Sequence, residues 1–461
     1  MPNTVAYAAL IAWPFVTLVC FARMPPSKAL IWSLLGGYLL LPMKTSFDFP
    51  GVPALDKTSV TNLSAMVGAL TFAGVRSVRL PREWWLLLPL LVFIVAPMFT
   101  VFANGDALVF GDIVLPALKP YDAFSQAAYS AIDVLPFILG YNLMRGKKAA
   151  GECLRAIAVA ALFYSLLMLI EMRLSPQLHT WIYGFFPHSF GQQFRWNGFR
   201  PVVFLGHGLL VAIFTSFALI AMVYLAKAKA KILGAPASAW SIYIFVLLIF
   251  CRTLGAFILG VLALGLLLLV SWKHIRIVCA LLALTTMTYP VLRGADLVPV
   301  DQIYSAAAAF DEDRANSFKT RVVNEDQLLA RAQERPLFGW GGYGRNRVFD
   351  EASGTDLSIT DGTWIIVIGI NGWIGYLATF GLLCLPIIVS AARGSPATPA
   401  SVALSLILAI NLLDLIPNSS LSPLTWLLAG SLVPVAQKVP IHREKAVTSR
   451  ARRPVSAQPQ T

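Results

Sequence analysis

Apolar residues run in long blocks along this chain, parted by short polar stretches, from residue 5 almost to the C-terminus. A membrane-crossing helix needs about 20 mainly apolar residues. Blocks that reach or approach that length cover 5–22, 29–42, 62–75, 84–102, 127–144, 155–170, 201–225, 239–251, 253–270, 277–292, 366–390, 400–415 and 424–438. Arg252 alone separates two of them. The pattern predicts an all-α fold, a polytopic transmembrane helical bundle of about 12–13 spans. The first block has no basic segment before it and no small-residue cleavage site after it, so it is expected to be a span, not a signal peptide.

Composition agrees with that reading. Hydrophobic residues make up 57% of the 461 and charged residues 13%, against about a quarter charged in soluble domains. The mean hydropathy is +0.71. The 29 prolines and 32 glycines would argue against long helices in water, but membrane helices tolerate both because neighbours re-satisfy the freed backbone groups. Five scattered cysteines show no CxxC or Cys/His spacing, so neither a disulfide framework nor a metal cluster is expected.

Charge gives the orientation. The short loops at 23–28, 76–83, 145–155, 226–238, 271–276 and 391–399, with the tail from Lys438, hold 21 of the 36 Lys and Arg but only 3 of the 23 acids. Basic short loops stay cytoplasmic, which places these inside and the alternate loops outside. The net charge of +13 is then an account of topology and of contact with anionic lipid. A nucleic-acid partner is not expected, since the basic tail lacks interleaved aromatics. The expected organisation is one membrane domain over 1–438 and a basic, disordered cytoplasmic tail over 439–461. Two outer loops, about 171–200 and 293–363, are too long to be simple connectors. Val322, Val323, Leu328, Leu329 and Ala332 recur at helical spacing before Pro336, so the second loop is expected to be partly helical.

Candidate chemistry clusters on the outer side. Gly339, Gly341 and Gly344 match G-x-G-x-x-G but follow a proline-stopped helix, so they read as a glycine turn packed by Trp340 and Tyr343 and not as a nucleotide site. Arg200, His207, Arg252, Asp133 and Asp414 all map to the outer half of the membrane, where charge is costly and marks function by default. The structural alternative is an interhelical pair such as Arg252 with Asp133 or Asp414. Guanidinium forks suit phosphate oxygens and can stabilise a departing pyrophosphate. His or Asp can take a proton from a sugar hydroxyl. Trp181, Trp196, Trp340 and Trp364 lie in or beside the outer loops, where they stack on sugars or form an interfacial belt.

The chain resembles the O-antigen ligase / Wzy-type polysaccharide polymerase family of bacterial membrane glycosyltransferases. The likeness rests on Arg200-Pro201 with Gly206-His207, on Cys251-Arg252-Thr253 before a leucine-rich span, and on the stretch Arg321 to Gly381. That stretch holds an arginine-led helix, Arg335-Pro336-Leu337-Phe338-Gly339-Trp340-Gly341, Thr360-Asp361-Gly362-Thr363-Trp364 and Gly369-Ile370-Asn371-Gly372-Trp373-Ile374-Gly375-Tyr376. The resemblance implies a GT-C-like helical fold in the bacterial inner membrane, with a large periplasmic loop and a periplasmic active face. It implies a saccharide transferred from a polyprenyl-pyrophosphate carrier to a sugar hydroxyl, with no cofactor and no metal. Arg200, Arg252 and Arg321 would bind the pyrophosphate or the glycan, with Trp340 and Trp364 as further substrate-binding residues. Ligases of the family usually carry His-Asn after the glycine turn, whereas this chain has Asp361-Gly362. Asp361 is therefore the catalytic-base candidate and His207 the next. The alternative for Asp361 is a helix N-cap, and for Arg321 an i, i+4 pair with Glu325. Gly369, Gly372 and Gly375 are expected to let helices approach closely.

The functional expectation is polymerisation of lipid-linked repeat units into surface polysaccharide. The alternatives are a ligase passing glycan to lipid A core or another acceptor, a flippase for lipid-linked sugars, and a structural scaffold. The expected partners are the lipid-linked oligosaccharide, an acceptor glycan, membrane lipids and other polysaccharide-assembly proteins.

Overall fold

The computed structural model describes residues 1–436 apart from 50–52, 147, 196, 310–311 and 394–396. The tail at 439–461 and Trp196 lie outside the described residues. The fold is a bundle of α-helices with short two-stranded hairpins at its ends. Helices α1 (Thr4–Arg23) and α2 (Pro26–Leu40) are parted by Met24-Pro25. Helix α3 (Lys57–Ala73) starts on Asp56, whose carboxylate accepts from the Thr58 and Ser59 amides. There follow α4 (Trp84–Phe102), α5 (Pro120–Asp133), α6 (Leu135–Leu143), α7 (Ala149–Leu174), the short α8 (Leu178–Tyr183) and α9 (Gly208–Lys227). The second half holds α10 (Ala237–Phe250), α11 (Leu254–Leu269), α12 (Trp272–Gly294), α13 (Val300–Ala308), α14 (Glu312–Glu334), α15 (Thr363–Ala392), α16 (Pro399–Asp414) and α17 (Pro423–Ala436).

Every apolar block falls on helix, with two corrections. The block at 127–144 is split between α5 and α6 at Val134, ahead of Pro136. The block at 201–225 becomes helical only at Gly208, because Arg200–His207 is irregular. Among the described residues, α1, α4, α5–α6 together, α7, α9, α12 and α15 are long and apolar enough to cross a membrane, and α10, α11, α16 and α17 are shorter apolar helices. That is seven full-length candidates where about 12–13 spans were expected. The patterned part of the second long loop is helical, as α14.

The packing is that of a protein in lipid. Helices α9 and α16 are buried along nearly their whole length, which suits helices apolar on every face. On α4 a stripe of Leu88, Leu91, Val95, Phe99 and Phe102 is exposed, and on α11 Ile258, Val261, Leu262, Leu268 and Leu269. Apolar faces of this extent need a non-aqueous neighbour.

The basic loops gather at one end of the bundle. Lys28 pairs with Glu152 at 3.4 Å, joining the start of α2 to that of α7. The Arg393 guanidinium lies 5.7 Å from the Trp85 ring centre, joining the end of α15 to the start of α4. Lys227 lies 5.4 Å from the Trp272 ring centre, joining the end of α9 to the start of α12.

At the opposite end the glycine turn is built into α15. That helix breaks at Gly372, whose φ is 65°. The backbone of Pro336–Gly341 docks in the break: Trp340 N–H donates to Gly369 O, Gly341 N–H to Ile370 O, Trp373 N–H to Pro336 O and Ile374 N–H to Leu337 O. A Cβ on Gly339 would lie 2.5 Å from Ile370 O. The expectation that these glycines serve close helix approach is therefore corrected at Gly372: what it admits is the turn's backbone.

Candidate active site

At that same end an open cavity of about 940 Å³ is lined by Arg200, His207, Arg252, Arg321 and Asp361. These come from four separate places: the segment before α9, the α10–α11 turn, α14, and the residues leading into α15. Asp414, at the end of α16, and His188 and Arg195 from the first long loop add the other ionisable groups of the lining. Asp133 is not part of it.

Arg200 follows a hairpin in which Phe194 pairs with Phe199 and Arg195 with Gly198. Its amide donates to Gln193 O at 2.8 Å, and its side chain, 5% exposed, donates through Nη2 to Thr253 Oγ1 at 2.8 Å. The irregular segment after it is held by a buried carboxylate on α7. Glu171 accepts from Val202 and Val203 N–H at 2.7 Å each and from Leu178 N–H at 3.0 Å. Lys57 Nζ donates to Phe204 O at 2.9 Å from the other side. Val203 has a φ of 48°, a conformation that β-branched residues adopt only when their surroundings impose it.

Arg252 also sits in the left-handed region, at φ 52°. This single residue turns the chain from α10 into α11 and aims the guanidinium back across the cavity, where Nη1 donates to Arg195 O at 2.7 Å. The guanidinium lies against Gly198, where a Cβ would collide with it. Only the mobile end of a long side chain has to yield, so Gly198→Ala is expected to change stability by less than about 1 kcal/mol while moving Arg252. A thermal melt paired with a transfer assay checks this, and the expected result is an unchanged melt with reduced transfer.

His207 caps α9, its Nδ1 accepting from Leu209 N–H at 3.0 Å. A ring nitrogen that accepts carries no proton, so the neutral ring holds its proton on Nε2. Burial, then the nearby Arg200, His188, Arg321 and Arg195, push its pKa down to about 3. The ring is thus neutral, with Nε2–H as a donor. The His188 ring meets it edge-on at 4.6 Å between centres.

Arg321 does not pair with Glu325. Its Nε lies 3.4 Å from Asp361 Oδ2. Glu325 instead accepts from Trp364 Nε1 at 3.4 Å and Tyr289 OH at 3.3 Å and lies 3.8 Å from Arg293. Burial pushes its carboxyl up to about 7. Asp361 is not the cap of α15 either. Gly362 is the capping residue and makes no side-chain bond, held where a Cβ would strike Ile416 O. The Asp361 carboxylate is left facing Arg321 and the cavity.

The two tryptophans expected at the substrate lie elsewhere. Trp364 is fully buried and packs edge-on against Tyr289. Trp340, 5% exposed, is covered by the Arg331 and Arg335 guanidinium groups at 3.4 and 4.2 Å from its ring centre, and its Nε1 donates to Arg331 O. Both are packing residues. Their placement in outer loops carried no information about which way they point.

Glu171, Arg195, His188 and Gly198 escaped the reading of the sequence. Asn197-Gly198 is a short-range turn signal that marks the hairpin carrying Arg195, but nothing local announces Glu171, which sits at the end of an apolar run.

Four arginines against two carboxylates leave the cavity positive, and one wall is greasy. Leu254 and Ile258 of α11 line it and are exposed. The arrangement suits a ligand with a polyanionic head and a long apolar tail. The chain matches no family model and no curated protein.

Proposed function

We propose that the protein is a glycosyltransferase of the bacterial inner membrane, GT-C-like in architecture, that polymerises polyprenyl-pyrophosphate-linked oligosaccharide repeat units on the periplasmic face. The observation that carries this reading is the meeting of Arg200, Arg252 and Arg321 with Asp361 around one cavity that has an exposed apolar wall. The basic loops at the other end make that end cytoplasmic and the cavity periplasmic. The diphosphate of the donor lies among the guanidinium groups and its polyprenyl chain leaves past Leu254 and Ile258.

In this reading the acceptor hydroxyl oxygen attacks the anomeric carbon of the donor sugar. The bond from that carbon to the pyrophosphate oxygen breaks, and its electron pair leaves with the diphosphate. The hydroxyl proton passes to the Asp361 carboxylate. Arginines beside the leaving oxygen stabilise the charge that develops on it, so the step needs no metal or cofactor. His207, with its proton on Nε2, serves as a hydrogen-bond donor. An electrostatic clamp of this kind acts on the leaving group, which is why it fits a polymerase and a ligase alike; Asp361 in place of the family's histidine favours the polymerase.

The test is transfer in vitro. The purified chain in lipid nanodiscs is given a polyprenyl-pyrophosphate oligosaccharide, and product length and released lipid diphosphate are measured. Chain growth is expected for the wild type and none for the triple variant R200A/R252A/R321A. Equal yield and length from both would end the proposal, and movement of intact donor across vesicle membranes without bond formation would point to a flippase.

A further inference from the structure

We propose that the basic end of the bundle carries a binding site for the phosphate of an anionic lipid headgroup, remote from the cavity described above and independent of the reading of it. A second cavity, of about 450 Å³, is lined by Arg76, Arg79, Arg82 and Arg145 together with Glu83 and Tyr141. Three of the arginines recur every third residue along the link between α3 and α4, and the fourth is delivered from the end of α6.

The positive-inside tendency accounts for arginines at this end of the bundle, but not for their enclosing a cavity. Side chains of α6 and its flank hold the frame. Asn142 Nδ2 donates to Arg79 O at 2.8 Å, and Tyr141 OH donates to Glu83 Oε2 at 3.3 Å. Arg145 Nε donates to Tyr141 O at 3.0 Å, and its guanidinium lies 4.6 Å from the Tyr141 ring centre. Four guanidinium groups face one carboxylate, and that carboxylate already accepts from a phenol. The balance calls for an anion of two or more charges or for two phosphates, which arginine forks bind well.

Exposed apolar neighbours favour a lipid over a soluble anion. Val75, Leu80 and Trp84 are exposed on the same stretch of chain as the arginines. Tryptophan is favoured at headgroup level, and basic pockets between transmembrane helices on the cytoplasmic side suit multiply charged headgroups. The distance from the first cavity follows from α4. Its first residues border this site, while at its far end Thr100 Oγ1 donates to Phe338 O and Asn104 Nδ2 to Gly339 O in the glycine turn. A helix of 19 residues at 1.5 Å each separates the two by about 28 Å, a membrane's hydrocarbon thickness.

The experiment titrates the full chain in neutral detergent with phosphatidylglycerol, cardiolipin, phosphatidylcholine and inorganic pyrophosphate. Bound lipid is read by native mass spectrometry and thermal stabilisation by melting. Saturable binding of the two anionic lipids is expected, with neither phosphatidylcholine nor pyrophosphate matching it. An arginine near the surface contributes about 1 kcal/mol, about fivefold in affinity, so R79A/R145A is expected to bind about 25-fold more weakly. The same loss of charge in K229A/K231A, elsewhere at this end, is expected to change binding little. Equal weakening in both double variants, no preference over phosphatidylcholine, or pyrophosphate binding as tightly as lipid would each overturn the proposal. A melt in phosphatidylcholine establishes that the variants remain folded.

Discussion

Replacing Arg252 with alanine is expected to lower glycan transfer by about two to three orders of magnitude while the protein remains folded in the membrane. That is the size of effect seen when a preorganised donor to a developing negative charge is removed. Arg252 occupies a left-handed backbone position that costs about 1–3 kcal/mol for a residue with a side chain. Nothing in the hairpin between α10 and α11 demands an arginine there for packing. Glycine would make the turn without strain, so Arg252→Gly should stabilise slightly and still lose transfer. Arg252→Lys is expected to recover little. A lysine carries the charge but not the planar fork, one nitrogen of which holds Arg195 O. Measured as the ratio of kcat/KM to wild type, a loss under tenfold for Arg252→Ala would remove the guanidinium from the reaction.

Glu171→Ala is the second large effect, and it acts on folding first. Three backbone amides, those of Leu178, Val202 and Val203, end on this carboxylate inside the bundle. Each orphaned buried donor costs about 1–3 kcal/mol, so three of them give an expected loss of about 3–9 kcal/mol. Glu171→Gln keeps one amide oxygen as an acceptor and should recover part of that. The readout that separates scaffold from chemistry is a comparison of the two variants at a temperature where both are folded. Glu171→Gln is expected to retain measurable transfer with a raised KM, because Arg200 rides on the segment the carboxylate holds. Unchanged melting in Glu171→Ala would mean that the segment before α9 is held by other contacts.

The legible part of this protein was its response to lipid. Apolar blocks mark helices because the bilayer leaves the backbone no other partner than itself, and each block coincides with helix over most of its described length. The chemistry was legible only where a charge interrupts such a block. Arg252 stood out for that reason, and so did Arg200 beside Pro201. Partner choice was not legible. Arg321 and Glu325 have ideal spacing on α14, yet they take different partners, one Asp361 and the other Trp364, Tyr289 and Arg293. Tertiary contacts outweigh an i, i+4 attraction of about 0.2–0.5 kcal/mol. Trp340 and Trp364 failed as sugar platforms for a similar reason: a large flat ring is as useful for filling a core as for covering a ligand. The segment 201–207 read as membrane helix because its residues are apolar, and the carboxylate that unwinds it lies some thirty positions earlier on α7.

The union of the glycine turn with broken α15 fixes one part of the cavity end of the bundle. Four main-chain bonds join Pro336–Gly341 to the interior of a membrane-crossing helix, together about 2–6 kcal/mol. A turn moored that deeply does not swing aside on its own; lifting it means rebuilding an apolar helix. For the function proposed above, that leaves the exposed side of α11 as the way in for the carrier and the open mouth of the cavity as the way out for the polymer. Two doorways that never coincide would let a growing chain stay threaded while its spent carrier is exchanged.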